Sequence, residues 1–369
     1  MTLLKVCARN FKNLADDVEI DFVAKARKTS EDKEYELHEI ADNLYVYTTM
    51  AFVGKNASGK TTALDLLKVA YDILSGFRAD TDYSVDGTEI CVFFYHDKYI
   101  YKYVTTLSQR GVEKTICFEN EALLRKKYYS SYYNKIYDED DFEEYMENSA
   151  LPEDVSKVFL VMKTKSIGAL YYDDSLLRED VYDLAFRIMQ IFDIRENVLR
   201  GILRVFDENI TDLSRDDKGN YRLTYIDEDR MLSPQELFRM MSSGTTKGVF
   251  LYMVIIASLK SGIPLIIDEI ENHFHKTLVE NVISLYKDKT INRNNAMLIF
   301  STHYCELLDL FNRQDNIYVA NAEKKVYLNS IYDKYGFRND VLKSKQFYNG
   351  VFKTSVNYDA LMDLKKVLK

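Results

Sequence analysis

The stretch Gly54-Lys-Asn-Ala-Ser-Gly59-Lys60-Thr61-Thr62 constrains this chain more than any other. It follows an apolar, β-prone run at residues 44–53, read as one buried strand. It precedes residues 61–74, where Leu64, Leu67, Tyr71 and Leu74 recur at helical spacing. A strand, a glycine-bounded turn and a helix that opens on Lys-Thr fit G-x-x-x-x-G-K-[ST]. The glycines let backbone N–H groups converge on phosphate oxygens, and the helix start adds partial positive charge. In that pattern Lys60 reaches the β- and γ-phosphates and Thr61 holds Mg²⁺.

Three further segments carry chemistry. Pro264-Leu-Ile-Ile-Asp268-Glu269 is an apolar strand ending in two carboxylates. Asp268 suits the shell of Mg²⁺ through water, and Glu269 suits a general base for an attacking water. Met241-Ser242-Ser243-Gly244-Thr245 stands just ahead of an apolar helix over residues 247–260. It reads either as an ordinary Ser N-cap or as a second anion cradle, offered to a nucleotide held by an opposing subunit. Leu298 to His303 is a strand ending in an imidazole, placed to hydrogen-bond a phosphate or a water.

The rest of the chain sets the frame. Residues 3–8 and 18–23 read as strands around a turn at Ala15-Asp16-Asp17, and residues 24–39 as a charged loop or short helix. Residues 88–118 alternate as three strands. From Asn120 to about Arg200 the chain is rich in tyrosine and charge and reads mostly as helix. Residues 201–229 read as a hairpin turning at Asp217-Lys218-Gly219-Asn220. Strand and helix then alternate through Pro264–Ile267, residues 276–287 and Ala296–Phe300, which implies parallel strands with crossover helices. The expected division is 1–118, 119–200, 201–320 and 321–369.

Composition excludes several classes. A net charge of −9 argues against a protein that coats nucleic acid. Arg125-Lys126-Lys127, interleaved with Tyr128, Tyr129, Tyr132 and Tyr133, reads as a tyrosine-rich amphipathic helix or as a local nucleic-acid contact. The acidic stretch from Asp138 to Asp154 reads as a solvated face or as a dock for a basic partner. Four isolated cysteines argue against disulfides and a structural zinc, and fit a reducing, cytoplasmic setting. His273 and His275 would share a face of a strand but lack a third metal ligand. No apolar run spans a membrane, and the N-terminus lacks a signal-peptide pattern. A kinase or GTPase would need an acceptor pocket or an NKxD motif, and neither is seen.

Taken in order, these segments resemble the ATPase head of the ABC superfamily, in its SMC/RecF/OLD-like branch. Gly54 to Thr61 is similar to the GxNxSGKT phosphate loop of that branch. Met241 to Thr245 is similar to the signature LSGGQ, with Ser243 for the first glycine and Thr245 for the glutamine. Asp268-Glu-Ile-Glu271-Asn-His-Phe-His275 resembles a DEIE-xx-H segment, and Ser301-Thr-His303 an H-loop. Ala8-Arg-Asn-Phe11-Lys-Asn-Leu14 resembles the opening of such heads, and Tyr348-Asn-Gly-Val-Phe352 a short tail motif. Gln109 is the candidate for the Q-loop by position.

The resemblance implies an α/β P-loop NTPase with an antiparallel N-terminal β subdomain and a helical insertion. It implies ATP and Mg²⁺ bound by Gly54, Asn56, Ala57, Ser58, Gly59, Lys60, Thr61 and Thr62, with Asp268 on the metal. It gives Glu269 and His303 catalytic roles. Ser242, Ser243 and Gly244 of a second copy would close over the γ-phosphate in a head-to-tail homodimer, alone or within a higher oligomer. Such an ATPase acts as a switch or clamp, in phage defence or DNA maintenance, with an effector protein in trans. The alternative is a slow nucleotide-binding module that sequesters a toxic partner. A fused Toprim nuclease is not expected in the stretch after His303.

Overall fold

The chain divides into two compact units, Met1–Ile167 with Ser301–Lys369 and Gly168–Phe300. The computed structural model describes all residues except 17, 76–80, 146–150, 162–167, 173–176, 179, 227, 273, 337–340, 353–357 and 369.

The first unit opens with β1 (Thr2–Arg9) and β2 (Val18–Asp21). A short π-helix, Asp32–Glu36, leads to β3 (Leu37–Ala41) and β4 (Leu44–Tyr47). Then come β5 (Thr49–Val53), α1 (Lys60–Ser75), β6 (Thr88–His96), β7 (Tyr99–Arg110), β8 (Thr115–Lys127), β9 (Glu143–Glu144) and α2 (Val158–Val161). An antiparallel sheet has the order β2-β1-β6-β7-β8-β9. Its alternation follows the pleat: Tyr101, Tyr103, Thr105 and Leu107 are buried, while Lys102, Val104 and Thr106 face the other way. Asp97 and Lys98, at φ +44° and +69°, make the two-residue turn between β6 and β7, and their left-handed backbone matches the twist of the strands.

The second unit contains β10 (Leu170–Tyr172), α3 (Val181–Ile191), α4 (Glu196–Phe206), β11 (Ile210–Arg215), β12 (Tyr221–Tyr225) and β13 (Glu228–Leu232). It continues with α5 (Pro234–Met240), α6 (Ser243–Ser261), β14 (Leu265–Ile267) and α7 (Lys276–Lys287). β15 (Leu298–Thr302) carries the chain back to the first unit. β14 pairs in parallel with β10 and with β15, and its Leu-Ile-Ile is fully buried. Strands covered on both faces read as unbroken apolar runs, which is why this one was legible. α6 is buried along most of its length, and Gly262 ends it at φ +74°. Gly248 of α6 lies against Phe206, where a Cβ would come within 2.1 Å of the ring.

Back in the first unit, β16 (Ile317–Ala322) runs parallel to β5, and β17 (Val326–Ser330) returns antiparallel to it. α8 (Ile331–Lys334), α9 (Lys343–Tyr348) and α10 (Tyr358–Val367) follow. Phe352 of the tail segment is buried against Tyr335, with ring centroids 5.0 Å apart. Arg313, just before β16, is buried because two carboxylates hold it. It bonds Asp315 and, at 3.1 Å, Asp32, which pins the charged segment after β2.

Some expectations are corrected. Residues 44–53 form two strands, β4 and β5, which join different partners on either side of Thr48. The change at Asn120 does not begin a helix. It is a β-bulge at φ +51°, and β8 continues to Lys127. Among the described residues of the stretch to Arg200, helix is found mainly from Val181 onward, in α3 and the start of α4. Arg125, Lys126 and Lys127 therefore lie on a strand end, not on an amphipathic helix. Lys126 is drawn inward, with its Nζ donating to Lys135 O at 2.8 Å and Asp138 O at 2.7 Å. His275 begins α7 rather than lying on a strand, and His273 lies outside the described residues. The expected strand Ala296–Phe300 is shifted to Leu298–Thr302. Among the described residues no single helix is long and apolar enough to cross a membrane.

Candidate functional site

β5 delivers the chain into the loop at Gly54, where there is no room for a side chain. A Cβ would lie 2.4 Å from Ser58 Oγ and 2.7 Å from Ala320 O. The loop then winds through left-handed backbone at Ala57 (φ +59°) and Gly59 (φ +94°). At Gly59 a Cβ would meet the Val326 methyls at 2.4 and 2.6 Å. Ser58 is 1% exposed, its N–H donates to Lys55 O at 3.2 Å, and its buried hydroxyl has no hydrogen-bond partner. A buried hydroxyl left unsatisfied is costly, and a ligand oxygen would satisfy it. Together with the glycine turns and the first N–H groups of α1, this donor set fits a phosphate chain.

Lys60 opens α1 and is only 4% exposed. Its ammonium donates to Gly54 O at 3.3 Å and Lys55 O at 3.4 Å. It also stands 3.1 Å from Nε2 and 3.3 Å from Nδ1 of His303. His303 Nδ1 is 2.9 Å from Gly54 O, and a carbonyl can only accept, so Nδ1 carries the proton. The structure thus brings the loop lysine and the strand-end imidazole onto one carbonyl. Thr61 is exposed in the first turn of α1, and Asn56 is exposed on the loop. Thr62 Oγ1 reaches Asn13 Oδ1 at 3.5 Å.

The N-terminal hairpin clasps this region. Lys12 Nζ bonds Asp65 of α1 at 2.5 Å and lies 3.3 Å over the Tyr83 ring. Asn13 O accepts from Val326 N at 2.8 Å, and Val326 O accepts from Ala15 N at 2.8 Å. Val326 and Ala320 are parts of the loop's wall that sequence reasoning missed. They lie far along the chain and belong to no motif. Gln109 sits at the end of β7, with its Nε2 on Tyr83 O at 3.4 Å and its N–H on Asp86.

The other candidates lie in the second unit. Ser242 is the N-cap of α6, its Oγ accepting from Thr245 N at 3.0 Å and pairing with Thr245 Oγ1 at 2.8 Å. The chain turns through 113° between α5 and α6, which leaves Ser242, Ser243 and Gly244 exposed at the corner. Asp268 and Glu269 are half-buried just after β14. Glu269 holds φ +46°, and its Oε2 accepts from Asn272 Nδ2 at 2.5 Å. A left-handed non-glycine residue costs about 1–2 kcal/mol, and such strain clusters at functional positions. Among the described residues no group of three or more His, Cys, Asp or Glu side chains is arranged to hold a metal. Mg²⁺ does not require one, since it keeps several waters and takes only one or two carboxylates plus phosphate oxygens.

No curated protein sequence matches the chain. Among solved structures, an SmcHead bound to the C-winged helix domain of ScpA is similar at 14% identity and a TM-score of 0.45, over 91% of this chain and 100% of that one. A Smc head domain with a coiled coil and joint derived from Pyrococcus yayanosii is similar at 10% identity and a TM-score of 0.40, over 95% and 99%. A family profile described as "AAA domain, putative AbiEii toxin, Type IV TA system" matches residues 50–309, a span that takes in the loop, both carboxylates and His303. With more than half of its length matched, the chain belongs to this AAA domain family.

Proposed function

We propose that the chain is an ATPase that closes head to tail with a second copy around ATP and works as a switch with a partner effector in phage defence. The observation that carries the reading is the meeting of Lys60 and His303 on Gly54 O, within a loop whose buried Ser58 hydroxyl lacks a partner. The loop N–H groups and Ser58 bind the phosphates, and Lys60 moves its charge from the loop carbonyls to their oxygens. Gly54, Ala57 and Gly59 give the loop its close approach, and Asn56 and Thr62 flank it. Thr61 and Asp268 would hold Mg²⁺, which would neutralise phosphate charge. Glu269 takes a proton from the water that attacks the γ-phosphorus, His303 accepts that water's other hydrogen through Nε2, and ADP departs.

The exposed corner at Ser242, Ser243 and Gly244 opens a 19-residue helix, a suitable anion contact for a second copy to offer. ATP shared in this way stabilises the dimer by mass action, and loss of the γ-phosphate loosens it. The family description names a toxin of a type IV toxin–antitoxin system, which supports work with a partner protein in defence. Calorimetric titration of MgATP tests the reading. The wild-type chain is expected to bind, and Lys60→Ala to bind at least about a hundredfold more weakly, since a charge-assisted contact contributes about 1.5–3 kcal/mol and Lys60 makes more than one. Equal affinity in the two proteins, with folding confirmed by circular dichroism, would overturn it.

A further inference from the structure

The sheet of the first unit carries a pair of thiols that the nucleotide chemistry does not use. Cys7 of β1 and Cys91 of β6 are register partners on antiparallel strands. Directly opposed residues point to the same face, with Cα atoms about 4.5–5.5 Å apart. A disulfide spans Cα separations of about 4.4–6.8 Å, so either kind of antiparallel pair can close one without moving the strands. Both cysteines are partly exposed. They lie on the floor of a groove of about 550 Å³, with Lys5, Arg9, Glu89 and Lys102 around them.

The arrangement follows from the pleat. Lys5, Cys7 and Arg9 alternate onto the groove face of β1, opposite Phe93, Cys91 and Glu89 of β6. Lys102 is paired across from Phe93 and adds a cation from the next strand. The two lysines are held in place, Lys5 by Glu19 at 2.6 Å and Lys102 by Glu139 at 2.5 Å. The thiols are unequal. The neighbouring Cys7 thiol draws the Cys91 pKa down, and Lys102 and Lys5 add to that against burial and the Glu139 carboxylate. The Cys91 thiol and burial push the Cys7 pKa up. One sulfur is thus primed as the nucleophile and its neighbour keeps the proton.

We propose that Cys7 and Cys91 are a peroxide-reactive pair that closes to a cross-strand disulfide. The Cys91 thiolate attacks one oxygen of hydrogen peroxide. The O–O bond breaks, Cys91 becomes a sulfenic acid, and the departing hydroxide takes up a proton and leaves as water. The Cys7 sulfur then attacks the Cys91 sulfur. The S–S bond forms, the S–O bond breaks, and the hydroxyl leaves with the Cys7 proton as a second water. Two thiols are oxidised by two electrons and one peroxide is reduced to two waters. A small dithiol reverses the step by exchange.

The test uses the full, reduced chain. It is treated with hydrogen peroxide, unfolded in denaturant, and its free thiols are counted. The chain has four cysteines, all free, and the count is expected to fall to two and to return to four after dithiothreitol. Mass spectrometry of the digest is expected to find Cys7 joined to Cys91, with Cys117 and Cys305 still reduced. In Cys7→Ser the reaction is expected to stop at a Cys91 sulfenic acid, captured as a dimedone adduct. An unchanged count in the wild-type chain, or a linkage made through Cys117 or Cys305, would overturn the proposal without touching the ATP reading.

Discussion

Replacing Gly59 by alanine is expected to destabilise the first unit by about 4 kcal/mol, and the figure can be divided. The glycine holds φ +94°, outside the left-handed well that L-residues visit. Strain of that kind costs about 1–3 kcal/mol. The new methyl would also meet the Val326 methyls at 2.4 and 2.6 Å, well inside ordinary contact. Val326 cannot withdraw, because its N–H is bound to Asn13 O and its carbonyl to Ala15 N. Overpacking of this sort costs about 1–3 kcal/mol. Val326→Ala alone leaves a small cavity and should cost about 1–3 kcal/mol. In the double variant the two methyl overlaps disappear and leave the backbone strain with a close Cβ contact at 3.0 Å, so the two changes should couple favourably by about 1–3 kcal/mol. Urea unfolding of the four proteins, followed by far-ultraviolet circular dichroism, measures that coupling. Additivity within about 0.5 kcal/mol would refute the contact between position 59 and Val326.

His303→Ala removes the donor to Gly54 O and the neighbour of the Lys60 ammonium, so steady-state ATPase assays should show kcat falling by about 10²-fold or more with a smaller change in KM; an unchanged kcat would remove His303 from the chemistry. Glu269→Gln should keep ATP binding and lose hydrolysis, and phosphate release at the wild-type rate would reassign the base. Asp21 gives a pH test, because burial holds its carboxyl above the usual 3.8, against the Val23 N–H, Lys25 and the Tyr137 hydroxyl. A raised folded pKa means that the folded chain binds the proton more tightly. The contribution is therefore full below the ordinary value and is lost as pH rises through the folded one. The stability of wild type relative to Asp21→Asn should fall across that window, and a relative stability that climbs with pH would show the sign to be wrong.

The legible part of this chain was the part set by local chemistry. Gly54 to Thr62 and Leu265 to Glu269 could be read because buried parallel strands, glycine turns and a helix start leave contiguous marks. α6 and α7 were legible from apolar spacing and from length. The segment after Asn120 was misread because its tyrosines and charges suit a half-exposed strand as well as a helix, and a positive-φ Asn inside a strand looks like a break. Thr48 divides two strands of equal apolarity, and nothing in Leu44 to Val53 announces that their partners differ. The walls of the loop were invisible for another reason. Val326 and Ala320 act through volume and a backbone carbonyl, neither of which has a residue signature. The meeting of Lys60 with His303 was anticipated only as a strand-end histidine near phosphate, and their common hold on Gly54 O arises from the folded backbone rather than from any local pattern.

Sedimentation velocity of Glu269→Gln, with and without MgATP, bears most directly on the proposed ATP-shared dimer. The protein should sediment as one chain of 43.2 kDa without nucleotide and at twice that mass with it. The added mass should vanish when Lys60→Ala or Ser242→Arg is introduced. A mass that ignores ATP, or a dimer that persists when both of those changes are present, would contradict a triphosphate clasped by two copies of this chain.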